Sequence, residues 1–184
     1  MVRVILNDDH LGGAIGAAIA ACRHRLFIAT ADVKDLHLPS EQLAAGAVRK
    51  PNRQAVSIVD VFHSLAQQNV QVQLLHSGVP SGPFLAELKK GLPQTLTMRR
   101  CPRLHAKAVI ADGRLMYLGS ANLTGAGLGA KSVRRRNFEA GIWTDEIPLI
   151  DPVADMLEGV FSGDQCPSCG RRDYCPVPLE EPRL

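Results

Sequence analysis

The sequence predicts an α/β fold in which a central mixed β-sheet is flanked by helices and followed by a short Cys-containing C-terminal tail. Two observations predict the sheet: segments of strand and helix periodicity alternate along the chain, and one segment contains a hairpin turn. A third predicts the tail, because the sequence after Gly163 is rich in proline and cysteine and has almost no periodicity. We therefore expect a folded domain over residues 1–162 and a tail over 163–184.

The helices and strands are predicted from the spacing of apolar residues, taken in chain order. The predicted helices, where apolar residues recur every three to four positions, are 11–24, 53–69, 84–91 and 150–162. The predicted strands, where apolar residues alternate or form short runs, are 25–33, 70–75, 94–100, the two arms of a hairpin within 104–124, and 137–144. Proline and glycine mark loops at 34–53 and 78–83.

The composition is that of a soluble globular domain, with 46% hydrophobic and 21% charged residues. Aromatic residues make up only 4%, which disfavours a single-strand binder built on rows of stacked rings. No apolar segment is long enough to cross a bilayer, and Asp8 and Asp9 lie where a secretory signal would be apolar. We therefore expect a cytoplasmic protein that does not associate with membranes.

The segment 104–124, LHAKAVIADGRLMYLGSANLT, combines the alternation of a β-hairpin with several polar residues. Asp112 and Gly113 favour a type I′ turn, in which both central residues adopt positive φ. A two-residue turn at these positions predicts that residue 111 pairs with residue 114, and this pairing fixes the rest of the register.

The polar residues of this hairpin fit a phosphate site. In the predicted register His105 lies opposite Ser120, and we expect both to share one face of the hairpin with Lys107. Lysine, serine and the amide of Asn122 can hold phosphate oxygens, while a histidine can attack phosphorus or transfer a proton. A polar edge hairpin with a solvated histidine and lysine is the alternative, and it is the commoner origin of an isolated H-x-K.

The complete pattern, H-x-K-x4-D-x6-G-S-x-N, resembles the HKD signature of the phospholipase D superfamily. Its positions are filled by His105, Lys107, Asp112, Gly119, Ser120 and Asn122. The order of predicted helices and strands is also similar to that family. The resemblance implies a phospholipase D/nuclease-like fold and phosphodiester chemistry that needs no metal or other cofactor.

The resemblance also implies a role for each residue of the motif. His105 is either the nucleophile, which forms a phosphohistidine, or the acid that protonates the leaving group. Lys107 and Asn122 hold the phosphoryl oxygens, and Ser120 is a supporting donor. We count Asp112 with the catalytic motif, although its place in a turn suits the structural role that the family usually gives this residue.

Members of the family carry a further acidic residue downstream that bonds the second ring nitrogen of the nucleophile. Such a bond fixes the tautomer and supports the imidazolium. Glu139, in the segment RRNFEAGIW, is the candidate in this sequence. The alternative is a surface glutamate on an edge strand.

The chain contains one copy of the motif, whereas the family's reaction uses two histidines. None of the other five histidines is followed by lysine at the second position. The short single-motif bacterial nucleases of the superfamily dimerise, so the resemblance implies a homodimer with both His105 side chains in one shared site. One of these histidines would be neutral and the other protonated, so the pair would titrate as a coupled unit.

Basic residues on both sides of the motif favour a nucleic-acid substrate. We take DNA as the first candidate and RNA as the second. The residues assigned to substrate are Arg103, Arg134, Arg135 and Arg136, in addition to Lys107, Ser120 and Asn122. Two alternatives remain open. One is a nucleic-acid-binding or conditionally active subunit of a larger defence or restriction complex that includes a motor protein. The other is a phospholipid phosphodiesterase.

The cysteines of the tail are spaced for metal binding, as C-x2-C-x5-C at Cys166, Cys169 and Cys175. Three thiolates need a fourth ligand, for which Cys101 is the first candidate and Cys22 the second. The spacing resembles the last three ligands of the iron–sulfur staple in some CRISPR-associated and recombination nucleases. A structural 4Fe-4S cluster and a zinc ion both remain open, and free thiols in a flexible tail are the alternative.

Overall fold

The computed structural model describes residues 1–38 and 56–175. Its strands are β1 (Val2–Leu6), β2 (Arg25–Thr30), β3 (His37–Leu38), β4 (Val56–Ser57), β5 (Gln71–His76), β6 (Leu96–Arg100), β7 (Ala108–Ala111), β8 (Leu115–Gly119) and β9 (Ala140–Thr144). Its α-helices are α1 (Ala17–Ala21), α2 (Ile58–Gln67), α3 (Gly82–Lys90) and α4 (Ile147–Ser162). A π-helical segment, His10–Gly16, leads into α1, and a short 3₁₀ turn covers Arg172–Tyr174.

Seven of the strands form one mixed sheet, in the order β1-β9-β8-β7-β2-β5-β6. Strands β2, β5 and β6 are parallel, whereas β7, β8, β9 and β1 continue the sheet in antiparallel pairs. The predicted α/β class with a mixed central sheet is confirmed. Because β7 is antiparallel to β2, the segment that enters β7 lies at the edge where the parallel strands end, which is where open α/β sheets bind their ligands.

The two faces of the sheet are covered by different helices. On one face, side chains of α1, α2 and α3 pack against alternate strand residues, as Phe62 and Phe84 do. On the other face α4 supplies Ile150, Leu157 and Phe161. No helix within 1–38 or 56–175 is long and apolar enough to cross a membrane.

Several boundaries differ from those predicted. Strand β1 was not predicted at all, and the expected helix 11–24 is instead the π-helical segment followed by the short α1. Helix α3 begins at Gly82, within the predicted loop, because Ser81 caps it and Pro83 is tolerated in a first turn. Part of the predicted loop 34–53 and the start of the predicted helix 53–69 lie outside the described residues.

The register of the β7–β8 hairpin differs from the prediction by one residue. Asp112 and Gly113 have φ values of 53° and 66°, and the N–H of Arg114 donates to the carbonyl of Ala111 at 3.0 Å, as a type I′ turn requires. However, Ala111 pairs with Leu115, so Arg114 is an extra residue on the returning arm. The predicted pairing of residues 111 and 114 is therefore wrong.

Asp112 also anchors the hairpin turn to the start of β2. Its N–H donates to the carbonyl of Arg25 at 2.9 Å, and its carboxylate accepts the backbone N–H groups of residues 23–25. These contacts hold the turn against strand β2.

Candidate active site

His105 and Lys107 lie together in the segment that enters β7. The Lys107 Nζ is 3.2 Å from the His105 Nε2, and it donates to the His105 carbonyl oxygen at 2.8 Å. Only 8% of Lys107 is exposed. This burial lowers the pKa of Lys107, and the negative charge of Glu139 opposes the shift. The site thus holds a poorly hydrated ammonium next to an imidazole, and an anionic phosphate would supply the missing counter-charge.

Ser120 is hydrogen-bonded to Glu139 and does not lie opposite His105 in the hairpin. In the observed register Lys107 lies opposite Gly119, whose N–H donates to the Lys107 carbonyl at 3.0 Å. The Ser120 hydroxyl donates to Oε2 of Glu139 and accepts the N–H of Ala140 at 3.0 Å. The expected convergence of Ser120 with His105 by strand pairing is therefore replaced by a contact at the start of β9.

Glu139 does not make the expected bond to His105. Its carboxylate accepts from Ser120 and from the Asn137 Nδ2, the latter at 2.9 Å. The backbone of Glu139 is fixed by Asn7, whose N–H donates to the Glu139 carbonyl at 3.0 Å. Tied to the end of β1 in this way, the carboxylate lies beside the returning arm of the hairpin. Its charge still reaches Lys107.

Asn122 is oriented by the loop that follows β2. Its Oδ1 accepts the backbone N–H groups of Ala31 and Asp32 at 3.1 and 3.2 Å and faces the Thr30 hydroxyl at 3.3 Å. Two backbone N–H donors can be accepted only by the oxygen of the amide, so these bonds determine the positions of the Asn122 oxygen and nitrogen. Among the described residues, the NH₂ group has no acceptor and is the end available to a phosphoryl oxygen.

Asp112 lies at the opposite end of the hairpin from His105, so its inclusion with the catalytic residues is corrected. Its carboxylate accepts three backbone N–H groups, those of Arg23, His24 and Arg25, each at 2.8 Å. Partial burial raises the pKa of Asp112, but these hydrogen bonds outweigh it and the net pKa is lowered. The residue joins the hairpin turn to the start of β2.

A buried layer beneath the site was not predicted from the sequence. Tyr117 is buried, its hydroxyl accepts the N–H of Ala121 at 3.3 Å, and burial raises its pKa to about 12. His10 packs edge-on against the Tyr117 ring, with 5.3 Å between ring centroids. A Cβ on Gly119 would lie 2.3 Å from the Tyr117 hydroxyl oxygen. Gly119 of the motif therefore leaves room for the Tyr117 hydroxyl. The glycine was the one feature of the sequence from which this buried layer could have been predicted.

The structure separates the four arginines that were assigned to substrate: Arg103, Arg134, Arg135 and Arg136. Arg103 donates to the Cys169 sulfur at 3.4 Å, and Arg136 forms an ion pair with Asp8 at 2.9 Å. Arg134 and Arg135 are exposed. Of the four, these two are placed as a surface that a polyanion could contact.

Four of the five cysteines lie around one small cavity of about 30 Å³: Cys101, Cys166, Cys169 and Cys175. Burial and the other three thiols raise the pKa of Cys166, whereas the contact with Arg103 lowers that of Cys169. Cys22 is buried elsewhere, with its sulfur 3.5 Å from Asp112 Oδ1. Among the described residues, no group of three or more His, Cys, Asp or Glu side chains is arranged to hold a metal ion as it stands.

Comparison with known proteins agrees with this fold. The model of the cardiolipin synthase, phospholipase D-like domain family matches residues 17–161. NucT from Helicobacter pylori has 14% identity and a TM-score of 0.61 over 86% of this chain and 93% of its own. The phospholipase D family member Nuc from Salmonella typhimurium has 15% identity and a TM-score of 0.58 over 86% of this chain and 91% of its own.

A third solved structure, phosphatidylserine synthase from Haemophilus influenzae, has 14% identity and a TM-score of 0.53, over 85% of this chain and 37% of its own. A comparison with curated proteins gave no match. The family match covers most of the chain and includes the entire hairpin motif. The chain therefore belongs to the phospholipase D superfamily of phosphodiesterases, through its cardiolipin synthase-type, phospholipase D-like domain.

Proposed function

We propose that the protein is a nuclease that cleaves DNA, in preference to RNA, through a covalent intermediate on His105. The observation that carries the proposal is the buried Lys107 ammonium held 3.2 Å from the His105 ring. An ammonium kept from water next to a nucleophilic nitrogen stabilises the negative charge that develops on a phosphoryl group. The NH₂ of Asn122 adds a neutral donor to the same group.

The proposed reaction has two displacements at phosphorus. A neutral His105 nitrogen attacks the phosphodiester, forming a P–N bond as the P–O bond to the leaving group breaks. A second, protonated histidine gives its proton to the leaving oxygen. That histidine then takes a proton from water, whose oxygen attacks phosphorus and releases His105. The sequence supplies no second motif, so the second histidine is assigned to His105 of another copy.

An uncovered apolar face next to the site supports this assignment. Val2, Val4 and Leu6 point to one side of the edge strand β1 and are 48%, 65% and 50% exposed. Phe138 is 98% exposed and directly precedes Glu139. Such a face near a half-complete site fits a second copy of this chain, joined across a two-fold axis. We propose that this face is the dimer interface.

The exposed basic residues support nucleic acid over lipid as the substrate. Arg134, Arg135 and Lys131 are exposed in the segment between Asn122 and Glu139, and their charges suit contact with the phosphates of a nucleic acid. The names of two proteins with a similar fold, NucT and Nuc, agree with this choice.

Cleavage in EDTA tests the proposal. Purified protein is incubated with plasmid DNA, single-stranded DNA, RNA and phosphatidylcholine vesicles, and the products are measured for each. We expect DNA cleavage in the wild type, none in His105→Ala, and wild-type cleavage in the control His24→Ala, whose side chain is exposed and outside the site. Acid-labile phosphate on His105 in quenched reactions would identify the intermediate.

The other outcomes of that assay are equally informative. Cleavage that survives in His105→Ala would refute the proposal. Hydrolysis of vesicles without cleavage of nucleic acid would assign the lipid activity instead. Cleavage that requires added proteins of a defence complex, such as its motor protein, would assign a conditionally active subunit.

A further inference from the structure

We propose that Cys101, Cys166, Cys169 and Cys175 bind one zinc ion, which fastens the C-terminal segment to the loop that precedes His105. The four residues line a single cavity although they come from two separate parts of the chain. Soft thiolate ligands in a set of four select zinc or an iron–sulfur centre over hard cations.

Hydrophobic packing contributes little to holding the described part of the C-terminal segment, residues 163–175. Among the described side chains of residues 163–175 none is buried, and the partly exposed positions are Gly163 and the three cysteines. A segment without buried apolar side chains gains almost nothing from the hydrophobic effect. Its inward-facing groups are thiols, and metal binding is one interaction through which thiols order such a segment.

Tight turns bring the three cysteines of this segment to one side. The N–H of Cys169 donates to the Cys166 carbonyl at 3.2 Å, and the N–H of Arg172 donates to the Cys169 carbonyl at 3.1 Å. The N–H of Cys175 then donates to the Arg172 carbonyl, also at 3.1 Å. This succession of turns allows the C-x2-C-x5-C segment to present three ligands to one point.

Four thiolates form the ligand set of a closed structural zinc site, in which the ion has four tetrahedral ligands and no open position. The four cysteines around this cavity supply that set. The thiols are not yet at ligating positions, so binding requires them to close around the ion and release their protons.

The charges around the cavity suit this arrangement. Four thiolates around a divalent ion carry a net negative charge, and the same cavity is lined by Arg100, Arg103, Arg171 and Arg172. Arg103 already donates to the Cys169 sulfur at 3.4 Å. The guanidinium groups would therefore offset the negative charge of the zinc–thiolate complex, so that the site as a whole is neutral or positive.

The position of Cys101 gives the ion a consequence for catalysis. Arg171 donates to the carbonyl of Pro102 at 3.4 Å, and the N–H of Leu104 donates to the Cys101 carbonyl at 2.9 Å. Zinc bound at Cys101 would hold this loop, and with it His105, in one position. This consequence, unlike zinc binding itself, rests on the proposed function.

Metal analysis of the full-length chain, purified under reducing conditions, tests zinc binding without any substrate. We expect about one zinc per wild-type chain, retained in Cys22→Ala and in Cys169→His, which keeps a zinc ligand. Cys169→Ser should lose most of the zinc. Limited proteolysis should then cut within 163–184 in Cys169→Ser and in chelator-treated wild type, but not in the zinc-bound protein.

Three results would overturn the proposal: a wild-type chain that holds no zinc and takes up none, iron with visible absorption in place of zinc, or equal loss of zinc in Cys22→Ala and Cys169→Ser. Nuclease activity is measured on the same samples as a separate readout. Zinc at full occupancy with no nuclease activity would refute the proposed function and leave the metal site intact.

Discussion

Lys107 is the residue at which function and stability are most clearly opposed. The fold keeps its ammonium almost out of water, with 8% of the residue exposed. Burial of a charge disfavours the folded state, and the lowered pKa of Lys107 is the sign of that cost. We interpret the buried ammonium of Lys107 as a binding group for an anion.

Lys107→Met should therefore stabilise the protein and inactivate it. We expect the free energy of unfolding to rise by about 1 kcal/mol, since an apolar side chain of similar length replaces a buried charge. The turnover rate should fall by about 100-fold through loss of charge stabilisation at phosphorus. Urea denaturation and the nuclease assay measure the two effects.

Lys89→Met, at an exposed position of α3, is the control for that experiment and should change neither quantity. The stability difference between Lys107→Met and wild type should also narrow as the pH rises through the lowered pKa of Lys107 toward its ordinary 10.5, because the wild-type amine then loses its charge. A destabilised Lys107→Met variant at neutral pH would contradict this account.

The kinds of residue in the site could be predicted from the sequence, but their partners could not. The spacing of the motif identifies His105, Lys107 and Asn122 because residue type and interval are both visible in one segment. The bonds of Asn122 to residues 30–32, and of Glu139 to Asn7, join parts of the chain that no local pattern relates.

The β7–β8 hairpin shows how one element depends on a distant one. Its turn has the expected type, yet its register is displaced by one residue, and the turn is bound through Asp112 to residues 23–25. Turn chemistry is local and could be predicted. The anchor lies almost ninety positions earlier in the chain, and period-two alternation carries no information about it.

Asp112→Asn should weaken the fold without entering the reaction directly. An amide can replace the carboxylate at only part of its three backbone donors, so we expect a loss of about 2 kcal/mol in the free energy of unfolding at pH 7. The lowered pKa means that the wild-type contribution is present above the ordinary value of 3.8 and is lost as the pH falls through the folded value.

Denaturation of wild type and Asp112→Asn at pH 7 and pH 3 measures the difference between their free energies of unfolding. This difference should be smaller at pH 3. Asp151→Asn, exposed on α4, provides the comparison at a position without such contacts. An equal gap at both pH values would show that ionisation of Asp112 contributes nothing.

Gly119→Ala should disturb the end of β8 through the layer beneath it. The new Cβ would lie 2.3 Å from the Tyr117 hydroxyl oxygen and 2.8 Å from the Ala140 carbonyl oxygen. We expect a loss of about 3 kcal/mol in the free energy of unfolding, and Tyr117→Phe in the same chain should restore part of it. Gly82→Ala, whose Cβ would meet nothing within 4 Å, should cost far less.

Thermal denaturation of the two single variants and the double variant completes this cycle. If Tyr117→Phe adds its own loss without restoring any stability to Gly119→Ala, the Tyr117 hydroxyl is not the obstacle.

At the scale of the whole molecule, the proposed dimer interface on β1 would make activity depend on oligomeric state. Val4→Glu places a charge in the proposed dimer interface, so the variant should be monomeric in light scattering and lose most of its nuclease activity. Val79→Glu is a matched control, since both valines are 65% exposed. It should remain dimeric and active.

A dimeric, fully active Val4→Glu would place the interface elsewhere. A monomeric and fully active variant would remove the need for a second copy altogether.

The overall architecture followed from the alternation of strand and helix patterns, since each buries one face and together they specify a layered sheet. Those patterns could not predict β1, because its five residues, VRVIL, are too short an apolar segment to indicate a strand by themselves. Its position at the edge of the sheet depends on β9, at the other end of the folded domain.

That pairing has a consequence for how the chain is made. Val2 pairs with Thr144 and Leu6 with Ala140, so β1 finds its partner only after residues 140–144 have been synthesised. Contacts between such distant residues slow folding, and an apolar strand without its neighbour is open to pairing with other chains in the meantime. Assembly of the sheet is thus completed late, when β1 pairs with a strand that is synthesised long after it.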